Sequence, residues 1–253
     1  IFESNSAARQ IIIPNAGIKP EYTYNGDFGI SYTTKKIRVE AGGFYTRFSN
    51  KIISDYESDP NKIIYDNIDG YALSQGISTN IDLNFPSGLK FIVGATLLDN
   101  KNVENGISET PFLTEKFTGT WSVSYKINPW NLVLDYTGNV YSPMKLPLLN
   151  EYDPRNPNSP WYSIQNIQFT YSGWKNFEVY GGIKNLLNFT PKQKNPFLIS
   201  RTNDPFDKNV QFASSGKVLV TPDNPYGLTF DPNYVYAPNQ GIRLFLGLRY
   251  SLN

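Results

Sequence analysis

The feature that most constrains this chain is a period-two alternation of apolar and polar side chains, repeated from end to end with almost no helical periodicity. In the final segment, Ile242, Leu244, Leu246, Leu248, Tyr250 and Leu252 are apolar. Between them lie Arg243, Gly247, Arg249 and Ser251, with Phe245 the exception. Successive side chains of a strand point to opposite faces, so this pattern describes a strand with one greasy face and one wet face. The same alternation places Ile37, Val39, Ala41, Gly43 and Tyr45 opposite Arg38, Glu40 and Gly42, and Leu83 and Phe85 opposite Asp82 and Asn84. Phe117, Trp121, Val123 and Tyr125 stand against Ser122, Ser124 and Lys126, and Leu132, Leu134 and Tyr136 against Asp135 and Thr137. With 22–32, 89–98, 164–171 and 176–187, this predicts about nine strands, each near the roughly ten residues of a membrane-crossing strand.

The predicted connections alternate in length. Short turns fall at Thr33–Lys36, Pro86–Gly88, Asn128–Trp130 and Ser172–Lys175, and long polar links at 51–67, 99–115, 142–160 and 189–240. Short turns on one side and long loops on the other are the plan of an outer-membrane barrel, whereas soluble β-sandwiches use strands of about half this length. Charge placement separates the two architectures further. Within the predicted strands Asp27, Arg38, Glu40, Asp82, Lys90, Lys126, Asp135, Glu178, Lys184, Arg243 and Arg249 all fall on the polar parity. A basic side chain facing lipid at the midplane costs roughly 2–4 kcal/mol, and in a lumen it costs little. Tyr45, Phe85, Phe117, Tyr125, Phe169, Tyr171, Phe177 and Tyr250 gather near strand ends on the apolar parity, where an interfacial girdle would lie. The expected fold is all-β, an antiparallel transmembrane barrel.

Composition removes several functions. The chain has neither His nor Cys, which closes Ser-His-Asp triads, H-E-x-x-H sites, thiolate nucleophiles, zinc fingers and a disulfide framework. A net charge of +1 supplies no basic stripe for nucleic acid. Most common hydrolase mechanisms are thereby closed to this stretch, while a carboxylate pair of glycosidase type remains open to composition. The expectation is a protein that is not an enzyme, with no catalytic residue, cofactor or metal. The Asp66-Asn-Ile-Asp69-Gly70 cluster lacks the spaced ligands of a calcium loop and reads as a turn. No apolar run reaches the roughly 20 residues of a membrane helix. The opening Ile-Phe-Glu-Ser-Asn-Ser, without Met or a leader, is read as an interior point of a longer precursor.

Three segments carry a family resemblance. Asn15-Ala-Gly-Ile-Lys-Pro-Glu21 with Tyr24-Asn-Gly-Asp-Phe-Gly29 resembles the "N-x-x-L-K-P-E … E-x-G" entry into a strand of TonB-dependent receptors. Ile183-Lys-Asn-Leu-Leu-Asn188 is similar to their "V-x-N-L-F-D" penultimate strand, and Gln240-Gly-Ile-Arg243 through Arg249-Tyr-Ser-Leu252 to their closing strand. The chain departs from the family by ending in Leu252-Asn253 instead of Phe and by placing Arg243 one position late. The resemblance implies a plugged barrel of about 22 strands, of which this chain supplies the last nine or so. On that basis 1–20 is an extracellular loop remnant, 189–240 a long extracellular loop and 241–252 the closing strand. The implied partners are outer-membrane lipid, the protein's own N-terminal barrel half and plug, and a TonB-type coupling protein reached through the missing part. The implied location is the cell outer membrane.

The function expected from this resemblance is active import of a scarce nutrient such as a ferric siderophore or cobalamin. Rival readings are an oligosaccharide or peptide importer with a surface lipoprotein as lid, a passive porin, and a soluble carbohydrate-binding β-domain. Candidate ligand contacts are Tyr152, Trp161 and Tyr162 around the Pro-rich link, and Arg201, Asp204, Tyr234 and Tyr236 in the last link. Stacking and charge pairing there could hold a chelate or sugar, while the simpler role for these aromatics is packing loop against loop. Arg38, Glu40, Asp82, Asp135, Arg243 and Arg249 are expected to face the lumen and the plug.

Overall fold

A computed structural model describes residues 11–55, 62–146, 156–191, 211, 213–214, 219–222, 236–238 and 240–252. Its strands are β1 (Ile11–Pro14), β2 (Tyr22–Thr33), β3 (Ile37–Ser49), β4 (Ile52–Asp55), β5 (Lys62–Asn67), β6 (Gly70–Asn84), β7 (Leu89–Glu104), β8 (Ile107–Glu109), β9 (Phe117–Ile127), β10 (Leu132–Tyr141), β11 (Tyr162–Trp174), β12 (Phe177–Lys184) and β13 (Arg243–Tyr250). Nine of them form one antiparallel meander in the order β13-β12-β11-β10-β9-β7-β6-β3-β2, and β8 pairs only with β7. The meander is the predicted set of nine strands. It is an open sheet with β2 and β13 at its edges, a partial barrel wall.

The short turns have local causes. Thr34 Oγ1 accepts hydrogen bonds from the backbone N–H of Lys36 and Ile37 and closes the β2–β3 turn. Gly88 takes a φ of +83° between β6 and β7, where a Cβ would lie 2.8 Å from the Lys126 carbonyl oxygen. Asn131 and Asn176, both left-handed, end the β9–β10 and β11–β12 turns, a conformation that Asn tolerates better than most residues.

Register confirms the two faces. Ile37 pairs with Leu83, Val39 with Ile81 and Gly43 with Ile77, while Arg38 pairs with Asp82 and Glu40 with Asn80. The parity carries through to β13, where Leu244, Leu246 and Leu248 oppose Ile183, Gly181 and Val179. Among the described residues the apolar face has no cover: Leu246 is 73% exposed and Ile77 59%. A soluble sandwich would place a second sheet there. The other sheet among the described residues is three-stranded, β1-β5-β4, with β1 parallel to β5. The fully buried apolar residues lie away from the middle of the wall, in Ile63, Ile68 and Ala72 and around Met144, Leu146, Tyr162 and Tyr236. No helix among the described residues is long and apolar enough to cross a membrane.

Two extents differ from expectation. The links 51–67 and 99–115 contain β4, β5, the end of β7 and β8. Strands β3, β6 and β7 run past the apolar band, so Arg47, Asp99 and Lys101 stand on the apolar parity beyond it. There Arg47, Gln75, Asp99 and Lys101 share the apolar parity with Leu73, so the contrast that reveals a strand in sequence weakens.

Candidate functional site

The candidate site is the polar face of the wall together with the roots of its two longest links. On that face the Arg38 Nε donates to Glu40 Oε1 at 3.1 Å, and Asp82 lies across from Arg38 on the next strand. Arg249 Nη1 donates to Glu178 Oε1 at 2.6 Å. Asp135 stands between Ser124 and Gln168. Arg243 opposes Lys184 directly, and the Lys184 ammonium lies over the Phe245 ring at 5.3 Å. Gly29 and Gly42 are register partners and leave a hollow of about 330 Å³, rimmed by Ser31, Glu40, Ser78 and Asn80. This face offers paired charges, hydroxyls and amides to whatever fills the space before it. Among the described residues no cluster of three or more His, Cys, Asp or Glu could hold a metal.

The loop roots form a buried aromatic cluster. Tyr162 stacks between Tyr141, at 4.9 Å, and Phe189, at 5.0 Å, with Tyr236 5.7 Å away. Its hydroxyl donates to the Tyr236 carbonyl at 3.1 Å. Met144, Leu146 and Ala237 complete the cluster. Burial pushes the Tyr236 hydroxyl above the ordinary tyrosine pKa. Tyr162 and Tyr236 are therefore brought together, 74 residues apart in sequence, as packing between the two links. Trp161 is exposed and lies 6.0 Å from Phe117, away from that cluster. Tyr152, Arg201, Asp204 and Tyr234 lie outside the described residues.

Sequence reasoning missed Asn185, which is only 4% exposed and left-handed at φ 53°. Its Nδ2 donates to the carbonyls of Phe189, at 2.7 Å, and Gln240, at 2.9 Å, while its Oδ1 accepts from Phe189 N–H at 3.0 Å. Asn188 Oδ1 accepts from Ile242 N–H at 2.8 Å. These two asparagines fasten both ends of the last link to each other beside β12 and β13. The signal was present in the Ile183–Asn188 motif, but the partner carbonyl lies 55 residues away.

A family described as TonB dependent receptor-like, beta-barrel, matches residues 2–186. The chain belongs to this family. TonB-dependent receptors are also what it resembles in fold. The ferric enterobactin receptor PfeA mutant G324V from Pseudomonas aeruginosa superposes with a TM-score of 0.60 at 18% identity, over 93% of this chain and 32% of that one. The ferric-catecholate import receptor Fiu from K12 E. coli, in its closed form, gives 0.58 at 13% identity, over 92% and 28%. The FrpB iron transporter from Neisseria meningitidis gives 0.53 at 14% identity, over 72% and 29%. At such identities the likeness is one of fold. The chain spans about a third or less of the length of these receptors. No curated protein matches it in sequence.

Proposed function

We propose that this chain is the C-terminal wall of a TonB-dependent outer-membrane transporter that imports a scarce nutrient, a ferric siderophore or cobalamin. The observation that carries this reading is the segregation of faces: membrane-length strands present an uncovered apolar face to lipid and every described charge of the band to the other side. In the whole receptor that polar face, with Arg38, Glu40, Asp82, Asp135, Arg243 and Arg249, lines the lumen against the plug. The receptor's own N-terminal barrel strands join β2 and β13, because open edges in lipid leave backbone groups unsatisfied at several kcal/mol each. A periplasmic TonB-type protein acts through the N-terminal part, and the links 51–67, 99–115, 142–160 and 189–240 lie outside the cell. Tyr152, Trp161, Arg201, Asp204 and Tyr234 are the ligand contacts we propose, above a root fixed by Tyr162 and Tyr236. Iron chelates lead because an enterobactin receptor, a ferric-catecholate receptor and an iron transporter share the fold.

The test is uptake by cells that carry the full-length gene as their sole receptor of this type. Under iron limitation, growth on a panel of ferric siderophores should require both the gene and an intact coupling protein. Uptake of small solutes without the coupling protein would mark a passive porin. Growth that depends on the gene only with oligosaccharide or peptide as nutrient would exclude the chelate assignment.

A further inference from the structure

The apolar face is not smooth. Across β3, β6, β7 and β9 one cross-strand row consists of Ala41, Thr79, Ala95 and Gly119. Phe28, Ile77, Leu97 and Phe117 stand above this row and Ile30 at its end, enclosing a groove of about 370 Å³. Most of its walls stand exposed: Phe28 is 72%, Ile77 59% and Leu97 51% exposed. Further along the same face, beyond the apolar band, Arg47 and Lys101 flank Leu73 in a single row. The Arg47 guanidinium is held over the Tyr71 ring at 4.1 Å. Lys101 is held by Asp99 at 2.8 Å, which Gln75 also engages at 3.0 Å. Asp99 offsets one of the two cations, and Arg47 meets no carboxylate among the described residues.

The spacing of groove and cations fits a membrane. From Ala95 to Lys101 is six residues, roughly 20 Å along a strand. At the usual tilt of about 40° this is about 15 Å along the membrane normal, a little more than half of an apolar band about 25 Å tall. The groove therefore sits near mid-membrane and the cations at headgroup height, on the side of the long links. We propose that this outward face is a binding site for an anionic, phosphate-bearing lipid, with an acyl chain in the groove and its headgroup against Arg47 and Lys101. The charge at the rim decides for such a lipid over a second copy of the chain, which would bring a like-charged rim to the same row. The site rests on the proposed membrane orientation of the apolar face.

The test uses the full-length receptor, purified, delipidated and reconstituted in bilayer discs of phosphatidylglycerol or phosphatidylcholine, with retained lipid counted by native mass spectrometry. The unaltered protein should retain phosphatidylglycerol selectively. Arg47→Gln with Lys101→Gln should lower that retention by about fivefold per cation removed, the weight of one basic residue at an anionic membrane surface. Ala95→Phe, which fills the groove, should also lower it, while Leu134→Phe on the same face outside the groove should not. Equal retention of the two lipids by the unaltered protein overturns the proposal. So does unchanged retention in the folded cation variant, an equal effect of Ala95→Phe and Leu134→Phe, or a dimer cross-linked through this face. If Ala95→Phe fails to assemble, the cation variant decides alone. Heat-modifiable mobility reports the barrel separately: absence of selectivity in the assembled, transport-active unaltered protein sinks the site, and failure of the unaltered protein to form a barrel sinks the orientation beneath it.

Discussion

Replacing Asn185 separates its two roles, as a hydrogen-bonding hub and as a residue in the left-handed region. Asn185→Gly keeps the backbone conformation and leaves the Phe189 carbonyl, the Phe189 N–H and the Gln240 carbonyl without their partner. Each buried polar group so orphaned costs about 1–3 kcal/mol, and water entering from the loop side lowers that, so about 3 kcal/mol is expected for the three. Asn185→Ala loses the same bonds and adds about 1 kcal/mol for a Cβ at φ 53°. Against a typical folding stability of roughly 5–15 kcal/mol either loss is large. The assay is urea unfolding of the full-length receptor in lipid vesicles, followed by heat-modifiable gel mobility. The expected order of midpoints is unaltered protein, then Gly, then Ala. Limited proteolysis of the 189–240 link should become faster in both variants, since its two ends are what the amide ties. A Gly variant as stable as the parent, or an Ala variant more stable than the Gly one, would refute the reasoning.

Three further outcomes follow from the faces and edges of the sheet. Leu246→Arg puts a cation on the lipid side at roughly 2–4 kcal/mol and should impair assembly, while Arg249→Leu, which removes the pair with Glu178 and a cation–π contact with Tyr180 on the polar face, should assemble normally; heat-modifiable mobility of both variants checks this, and the reverse order would mean the parity is inverted. Gly138→Val would place a Cβ about 2.3 Å from the Trp121 ring, so the indole must leave its present position at a cost of about 1–3 kcal/mol, visible as a shift in tryptophan emission and a lower unfolding midpoint. The 253-residue chain expressed alone should aggregate or be degraded, because β2 and β13 each present an open edge; a monomeric, water-soluble product with dispersed NMR signals would contradict the barrel wall.

The parts of the fold legible in sequence are those where lipid imposes contrast. Leu244, Leu246 and Leu248 alternate with Arg243, Gly247 and Arg249 because one face must be apolar and the other need not be, and the register of β12 with β13 preserves that parity residue for residue. Where the contrast ends, so does the legibility. Arg47, Gln75, Asp99 and Lys101 continue the apolar parity of β3, β6 and β7 but stand above the band, where an outward side chain gains nothing by being greasy. The parallel pairing of β1 with β5 joins Ile12 to Ile63, 51 positions apart, and no local pattern encodes so distant a partner.

The same distinction governs the site. The charges of the polar face were readable singly, because each is a departure from lipid compatibility at a known parity. The loop roots were not, because Tyr162 and Asn185 draw their meaning from Tyr236 and Gln240, which arrive from the far end of a link more than 45 residues long. An aromatic residue in a polar link can serve either as ligand contact or as packing mass, and only its neighbours decide. For Tyr162 the neighbours are two stacked rings and a carbonyl that accepts its hydroxyl's hydrogen bond, which leaves neither ring face open to a chelate. Its role is therefore positional: the described roots of the 142–160 and 189–240 links, with Met144, Leu146, Phe189 and Tyr236, pack around one buried ring.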